Sequence, residues 1–195
     1  PPEISKLTNL KSLYLNNSNI SGLLPYSLTN LKNLTHLNLS DNNLRGPLPY
    51  SIHLLNNLEY LNLSDNNLEG LIPFELYKLI NLKHLNLSQN NIKGSIDREI
   101  KNLPELETLN ISDNNLTGSI PHELFSNRNL KFINFENNQL SGTLHDKLYE
   151  IPNISFLRVG GNNFEGNISK NICKLDIDFS NIEYFNIANN SFCAP

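Results

Sequence analysis

Residues 58–81 read LEYLNLSDNNLEGLIPFELYKLIN, and residues 82–105 repeat the arrangement as LKHLNLSQNNIKGSIDREIKNLPE. Leucine or isoleucine, asparagine and glycine recur at offsets of 24 residues, which gives the template LxxLxLxxNxLxGxIPxxLxxLxx. A unit this short cannot bury its apolar side chains alone, but stacked units share one continuous core. The period therefore predicts a repeat solenoid.

The repeat runs through the whole chain of 195 residues. Copies begin at residues 10, 34, 58, 82, 106, 130 and 154, and a partial last copy begins at residue 182 after an insertion of four residues. We therefore expect a single solenoid domain over residues 1–195. Solenoids need caps that hide their terminal apolar layers. No cap precedes the first copy, so we also expect a fragment of a longer chain.

One asparagine occupies the same position in successive repeats and points towards the predicted core. Buried amides are tolerated when their hydrogen bonds are made, so we expect these side chains to bond backbone groups of the turns and act as scaffold. The column consists of Asn42, Asn66, Asn90, Asn114, Asn138, Asn162 and Asn190.

The segment after each predicted strand has the pattern LxGxIP, as in Leu68, Gly70, Ile72 and Pro73. Together with the period, this pattern resembles the plant-type subclass of the leucine-rich repeat family. The resemblance implies an α/β-type repeat solenoid with a concave parallel β-sheet, a second short strand near the Gly-x-Ile-Pro segment, and 3₁₀ or irregular turns on the convex face. Five positions depart from the pattern, namely Asp97, His145 and Ser169 at the proline, Ser18 at the ladder asparagine of the first repeat, and Asn127 at a leucine.

The resemblance also implies a class of function. Plant-type members include ectodomains of receptor-like kinases and receptor-like proteins, and polygalacturonase-inhibiting proteins, which recognise peptides, steroids or microbial wall-degrading enzymes. We therefore expect a recognition module that binds a protein or peptide on its concave face, as a receptor ectodomain or as an inhibitor of a secreted hydrolase. The alternatives are carbohydrate (glycan) binding on exposed rings, or a structural wall or matrix protein. Such a protein could contact ice through its Asn and Ser columns.

Composition argues against several other classes of protein. The net charge is −4 and no Lys/Arg cluster stands out, so we expect no nucleic-acid partner. Apolar runs are only a few residues long, far below the roughly 20 residues of a membrane span. Hydrolase and zinc-protease motifs such as GxSxG and HExxH are absent. His36 and His84 lie two strands apart, about 10 Å, too far for one metal ion. We expect no enzymatic activity, no cofactor and no metal.

The variable positions carry the information about function, because the template residues only build the coil. Side chains alternate along a strand, so the residue two positions after each opening leucine faces solvent. This column reads Ser12, His36, Tyr60, His84, Thr108, Phe132, Phe156 and Tyr184. We predict ligand-binding residues in two patches, a primary one of Phe132, Phe156 and Arg158 with Tyr184 beyond it, and a secondary one of His36, Tyr60 and His84. The alternative is that the rings only stack and stabilise the sheet.

Sequons and cysteines bear on the compartment. Of eleven N-x-[ST] sequons, those beside or outside the concave strands are the best acceptors, namely Asn33, Asn115, Asn153 and Asn167. Glycans there would mean a secreted protein or one on the extracellular side of the cell surface. Cys173 and Cys193 lie in the last turns, where a terminal cap belongs, and we predict a disulfide between them. Two free thiols, or pairing with cysteines beyond Pro195, are the alternatives.

Overall fold

The computed structural model describes residues 2–193 as a stack of coils, and the predicted solenoid architecture is confirmed. Positions 1, 194 and 195 of the expected domain lie outside the described residues. Each coil adds one strand to a concave parallel sheet, with equivalent residues side by side, as in the pairing of Leu37 with Leu61. Within the described part, and numbered along the chain, its strands are β1 (Ser12–Tyr14), β3 (His36–Asn38), β5 (Tyr60–Asn62), β7 (His84–Asn86), β9 (Thr108–Asn110), β11 (Phe132–Asn134), β13 (Phe156–Arg158) and β15 (Phe185–Asn186).

A second parallel sheet and a row of 3₁₀ helices complete each coil. The second sheet of residues 2–193 contains β2 (Ser21–Leu23), β4 (Asn43–Gly46), β6 (Asn67–Gly70), β8 (Asn91–Gly94), β10 (Asn115–Gly118), β12 (Gln139–Gly142), β14 (Asn163–Gly166) and β16 (Ser191–Phe192). The 3₁₀ helices are η1 (Pro2–Lys6), η2 (Tyr26–Asn30), η3 (Tyr50–Leu54), η4 (Phe74–Lys78), η5 (Arg98–Asn102), η6 (His122–Ser126), η7 (Asp146–Glu150) and η8 (Lys170–Lys174). No helix among the described residues has the length and apolar character needed to cross a membrane.

The core is a stack of aliphatic layers between the two sheets and the 3₁₀ helices. In the repeat that begins at residue 58, the fully buried leucines are Leu58, Leu61, Leu63, Leu68, Leu76 and Leu79. Each layer is closed above and below by the layers of neighbouring coils. Burial of apolar surface, which contributes roughly 25 cal/mol per Å², therefore depends on stacking rather than on any single coil.

The predicted ladder of buried asparagines is confirmed. Nδ2 of Asn66 donates to the carbonyl oxygens of Leu63 (3.2 Å) and Ser64 (3.0 Å) in its own coil and of Leu39 (3.0 Å) in the preceding coil. Its Oδ1 accepts a hydrogen bond from the N–H of Leu44 at 2.9 Å. Each amide therefore ties two coils together at a fixed spacing. Equivalent contacts recur at Asn90, Asn114, Asn138 and Asn162.

Four of the five departures from the template have local explanations. Asp97, His145 and Ser169 precede 3₁₀ helices with the same extended backbone as the prolines they replace. Each side chain accepts a hydrogen bond from the N–H two residues later, which caps the helix N-terminus. Asn127 is buried, but its Nδ2 donates to two backbone carbonyls, at 2.9 and 3.0 Å, and its Oδ1 accepts from a backbone N–H. The leucine position is thus filled by a satisfied amide.

The last coil follows the strand register but not the expected core. Phe185 pairs with Leu157, which matches a copy that begins at residue 182. Ile182 itself is 70% exposed, whereas Ile177, inside the insertion, is buried. The inserted residues form turns in which Asn181 donates to Asp178. These turns displace the chain from the path of the other repeats, so Ile177 rather than Ile182 lies in the core.

The predicted disulfide is not formed, because Cys173 and Cys193 are exposed free thiols in the structure. Cys173 lies in η8 on the convex side, while Cys193 follows β16 and donates its N–H to the carbonyl of Gly166. The two cysteines therefore belong to different columns of the solenoid. Stacking of one coil on the next does not bring these columns together.

Leu85→Ala should lower the free energy of unfolding by about 2–5 kcal/mol, because it opens a cavity in a layer shared with both neighbouring strands. Leu85 is buried and pairs with Leu61 and Leu109. Denaturant unfolding measures the loss. The control is Ile80→Ala at an exposed position, which should change stability by less than about 0.5 kcal/mol. Equal effects of the two substitutions would contradict the register described above.

Candidate ligand-binding face

The variable column of the concave sheet forms one row across the strands. Its members lie beside one another in register, from Ser12 next to His36 to Phe132 next to Phe156. The side chains between these ends are half-buried, because each lies against its equivalent on the next strand. Thr108 divides the rings into two groups. We name them the C-terminal ring group (Phe132, Phe156, Tyr184) and the N-terminal ring group (His36, Tyr60, His84).

The C-terminal ring group brings together three of the predicted ligand-binding residues. The rings of Phe132 and Phe156 stack with centroids 3.8 Å apart and planes at 15°. Tyr184 meets Phe156 edge-on, at 6.4 Å and 76°. An aromatic pair contributes about 0.5–1.5 kcal/mol beyond its buried area, so these rings stabilise the sheet. They also present a rigid apolar platform, because they are only half-buried.

An ion pair lies directly beside this platform. Nε of Arg158 is 2.7 Å from Oε2 of Glu136, and Nδ2 of Asn186 donates to Oε1 of the same carboxylate at 2.5 Å. Glu136 is almost completely buried, so its charge is compensated by these two partners. Neither Nη group of Arg158 has a hydrogen-bond partner among residues 2–193. The Nε contact with Glu136 is an ion pair that lacks hydrogen-bond geometry. Arg158 is therefore positioned by the opposite charge, and its donors remain available.

A glycine makes this network possible. Asn186 reaches Glu136 across the intervening strand, and a Cβ on Gly160 would lie 2.8 Å from Nδ2 of Asn186 and 3.1 Å from the carbonyl oxygen of Ala188. The equivalents of Glu136 and Gly160 in the four preceding repeats are serines, namely Ser40, Ser64, Ser88 and Ser112. Glu136, Gly160 and Asn186 are therefore site residues that the sequence analysis missed. The signal available was the break in the serine column at Glu136 and Gly160.

The N-terminal ring group is a looser stack. Tyr60 lies between His36 and His84, with centroid distances of 5.9 Å to each. The hydroxyl of Thr35 donates to the carbonyl of Lys11 at 2.9 Å, so it accepts from Nδ1 of His36, also at 2.9 Å. The rings of this group are more polar and less nearly parallel than the phenylalanine pair.

Ion pairs lie on the column next to the ring row, one beside the N-terminal ring group and one beside Thr108 and Phe132. Lys83 bonds Glu59 at 2.7 Å, and Lys131 bonds Glu107 at 2.6 Å. The hydrogen bond from Lys83 lowers the pKa of Glu59, and that from Lys131 lowers the pKa of Glu107. The alternating charges therefore pair across adjacent strands, as expected for residues that fix the register.

Two polar columns lie next to the ring row along each coil. The first contains Asn62 and its equivalents, and the second contains Asp65 and its equivalents. Asn62 accepts hydrogen bonds from N–H and Oγ of Ser64, at 3.0 and 2.8 Å, and the same N–H contact recurs in most other coils. In the column beyond, Asp41, Asp65 and Asp113 have φ of 53–55°, a region that Asn and Asp tolerate. The expected Ser column is largely buried, at Ser40, Ser88 and Ser112. It therefore offers no regular serine face to ice.

Comparison with known proteins agrees with the coil geometry. The family model for leucine-rich repeats matches residues 8–68 and 63–116, which together exceed half of the chain. The chain belongs to the leucine-rich repeat family. No curated protein matches the sequence significantly.

Solved structures place this leucine-rich repeat chain beside plant ectodomains. It superimposes on the plant peptide hormone receptor RGFR1, solved in complex with RGF2, with a TM-score of 0.91, 31% identity and 98% coverage of this chain. The Arabidopsis receptor kinase HAESA, solved with the peptide hormone IDA and the co-receptor SERK1, matches with a TM-score of 0.92, 30% identity and 99% coverage of this chain. This chain spans about a third of the length of those chains, 30% and 32%.

A third relative has a different description. The crystal structure of a plant ice-binding protein matches with a TM-score of 0.79 and 28% identity, and covers 100% of this chain and 69% of that one. The leucine-rich repeat scaffold is therefore shared by proteins with unlike ligands. The variable columns, rather than the scaffold, must distinguish them.

The four predicted glycan acceptors differ in their surroundings. All four asparagines are exposed. Nδ2 of Asn33 donates to the carbonyl of Thr8 at 2.8 Å, so attachment of a glycan there requires that bond to break. The side-chain amides of Asn115, Asn153 and Asn167 have no partner among the described residues, which favours them as acceptors.

Glu136→Ala should lower the free energy of unfolding by about 1–3 kcal/mol, because Arg158 and Asn186 both lose their partner. Arg158→Ala should lower the free energy of unfolding less in the Glu136→Ala background than in the wild type. Denaturant unfolding of the two single variants and the double variant gives the coupling energy. Strict additivity would show that the two side chains do not interact in solution.

Proposed function

We propose that this chain is an extracellular recognition module that binds a peptide at the C-terminal ring group of its concave face, without chemistry of its own. The stacked pair Phe132–Phe156, beside the fixed Arg158 guanidinium, is the observation that carries the proposal. Binding hot spots combine large rigid apolar anchors with charged groups of this kind.

The polar surroundings of the platform suit a peptide backbone. Arg158 is oriented by Glu136 before any ligand arrives, so little side-chain entropy is lost on binding. Its available Nη donors match peptide carbonyl or carboxylate oxygens. A peptide laid along the row would place apolar side chains on Phe132 and Phe156 and an oxygen near Arg158.

The relatives support a peptide over the other expected partners. The two receptor ectodomains described above were solved with peptide hormones, and both superimpose over nearly the whole of this chain. Within the residues described here, the rings are stacked on one another rather than spread as isolated platforms. This arrangement favours an extended chain crossing several strands over a single sugar ring.

An extracellular location should leave glycans on the protein. We expect N-linked glycan on at least one of Asn33, Asn115, Asn153 and Asn167 in protein from a native host, most readily at the latter three. Intact-mass spectrometry before and after endoglycosidase treatment measures it. The occupied asparagine then follows from peptide mapping. An unmodified mass would contradict transit through the secretory pathway.

Phe132→Ala or Phe156→Ala should weaken peptide binding by about 2 kcal/mol, roughly thirtyfold in Kd. The probe is a set of peptides selected from a random displayed library on the wild-type chain, with affinity measured by titration. The loss of one ring stack should lower stability by only about 0.5–1.5 kcal/mol.

The matched control is Tyr14→Ala, an exposed ring at the far end of the same sheet. It should leave both binding and stability nearly unchanged. A Phe132→Ala/Phe156→Ala double variant that melts early yet binds the selected peptides normally would overturn the proposal. The rings would then act only in the sheet.

Ice binding is a second candidate function. The observation in its favour is the plant ice-binding relative, of which this chain covers 69%. The second sheet offers one regular polar column, with exposed side chains at Asn43, Asn67, Asn91, Asn115 and Asn163. An ice-recrystallisation assay on the same preparation separates the two functions. Ice binding would be favoured if the chain inhibits ice recrystallisation and binds no peptide, and if the Asn67→Leu/Asn91→Leu variant loses that inhibition.

A further inference from the structure

An exposed apolar patch lies where the second sheet passes into the 3₁₀ helices. Tyr26, Tyr50 and Phe74 are the first residues of η2, η3 and η4, and their exposures are 67%, 68% and 50%. Leu23, the last residue of β2, and Leu71, which follows β6, are also exposed. We name as the flank patch the set Leu23, Tyr26, Pro47, Tyr50, Leu71 and Phe74.

The coil template does not require apolar residues at these positions. In the later repeats the equivalent pairs are Ser95 with Arg98, Ser119 with His122, Thr143 with Asp146, and Asn167 with Lys170. The apolar character is therefore confined to the first three repeats. A contiguous apolar surface that the fold does not need indicates an interaction site.

Two leucines of the patch lie over glycines of the next coil. Leu23 covers Gly46 and Leu71 covers Gly94, each filling the space that a Cβ would take. Between them, Pro47, Tyr50, Leu71 and Phe74 line an open groove. From the exposed fractions, the three rings alone leave about 300–450 Å² of surface in water. The central members Pro47, Tyr50, Leu71 and Phe74 therefore offer less than the roughly 800 Å² per partner of a standard specific interface.

Charges beside the patch show what fits it. Arg45 and Glu69 occupy the same template position in adjacent repeats, and both are exposed. A two-fold axis perpendicular to the direction in which the coils stack, between the second and third repeats, places Arg45 of one copy opposite Glu69 of the other, and this pair forms twice. It places Leu23 and Tyr26 opposite Ser95 and Arg98. The same axis places Tyr50 opposite Phe74 and Pro47 opposite Leu71. The surface is thus self-complementary, as an isologous interface requires.

Neighbouring registers are less favourable. An axis through the third repeat places Glu69 opposite its own copy and Arg45 opposite Lys93, which are like charges and repel. An axis one repeat further places Leu71 opposite Ser95 and Phe74 opposite Arg98, so the apolar contact is lost. An axis through the second repeat places Arg45 opposite its own copy, which also repels. Among these registers, only the axis between the second and third repeats combines opposite charges with apolar contact.

We propose that two copies of this chain associate through the flank patch as a two-fold symmetric dimer. The segments 43–54 and 67–78, which form the centre of the interface, contain no N-x-[ST] sequon, so no N-glycan blocks it. The modest area makes the dimer a weak, concentration-dependent one. The interface uses the second sheet and the 3₁₀ helices rather than the concave sheet that carries the ring groups.

Sedimentation velocity of the 195-residue chain, from about 1 to about 300 µM, tests the proposal in the range of weak interfaces. The wild type should shift from monomer to dimer as concentration rises. Arg45→Glu and Glu69→Arg should each weaken association at least tenfold, because each places like charges opposite one another. The double variant Arg45→Glu/Glu69→Arg should regain dimerisation, because it restores both pairs in reverse.

Tyr50→Ser should abolish the dimer, while Ile80→Ser, at an exposed apolar position outside the patch, should leave it unchanged. Circular dichroism melts confirm that each variant is folded. A wild type that stays monomeric throughout overturns the proposal and leaves the patch to a different protein. Dimerisation that survives Tyr50→Ser, or a double charge variant that stays monomeric, also overturns it.

Discussion

The buried asparagine ladder is the constraint on which the rest of this structure depends. Each ladder amide holds carbonyl groups of two successive coils and accepts one N–H. A buried amide without these partners would cost several kcal/mol, so the turn after each concave strand has one permitted geometry. That geometry fixes the spacing of the coils. Fixed spacing, in turn, places equivalent side chains side by side in columns.

Because the scaffold is uniform, specificity is confined to the columns. On the concave face the C-terminal repeats differ from most others at Glu136 and Gly160, where serine is usual, and at Arg158, where asparagine is usual. The first supplies a buried carboxylate that holds Arg158, and the second leaves room for Asn186 to reach it. On the flank, the first three repeats carry apolar residues where later ones are polar. The two surfaces lie on different sides and at different ends of the stack, so they can act independently.

The departures from the template show that each position is selected for backbone geometry more than for residue type. Proline suits the extended residue before each 3₁₀ helix, yet Asp97, His145 and Ser169 serve there because their side chains cap the helix. Asn127 replaces a leucine because backbone carbonyls are within reach of its amide. The stack tolerates such changes as long as polar groups keep their partners and the coil keeps its path.

The sequence alone determined the period, the strand register, the asparagine ladder and the membership of the concave columns. These features are readable because every template residue has a reason within its own coil or one period away. Only the tertiary structure decided the rest. Four features depend on contacts between non-equivalent positions of the coils. They are the burial of the serine column, the exposure of Ile182, the separation of Cys173 from Cys193, and the contact of Asn186 with Glu136 across Gly160. Periodicity places like residues beside like, and it carries no information about contacts that cross from one column to another.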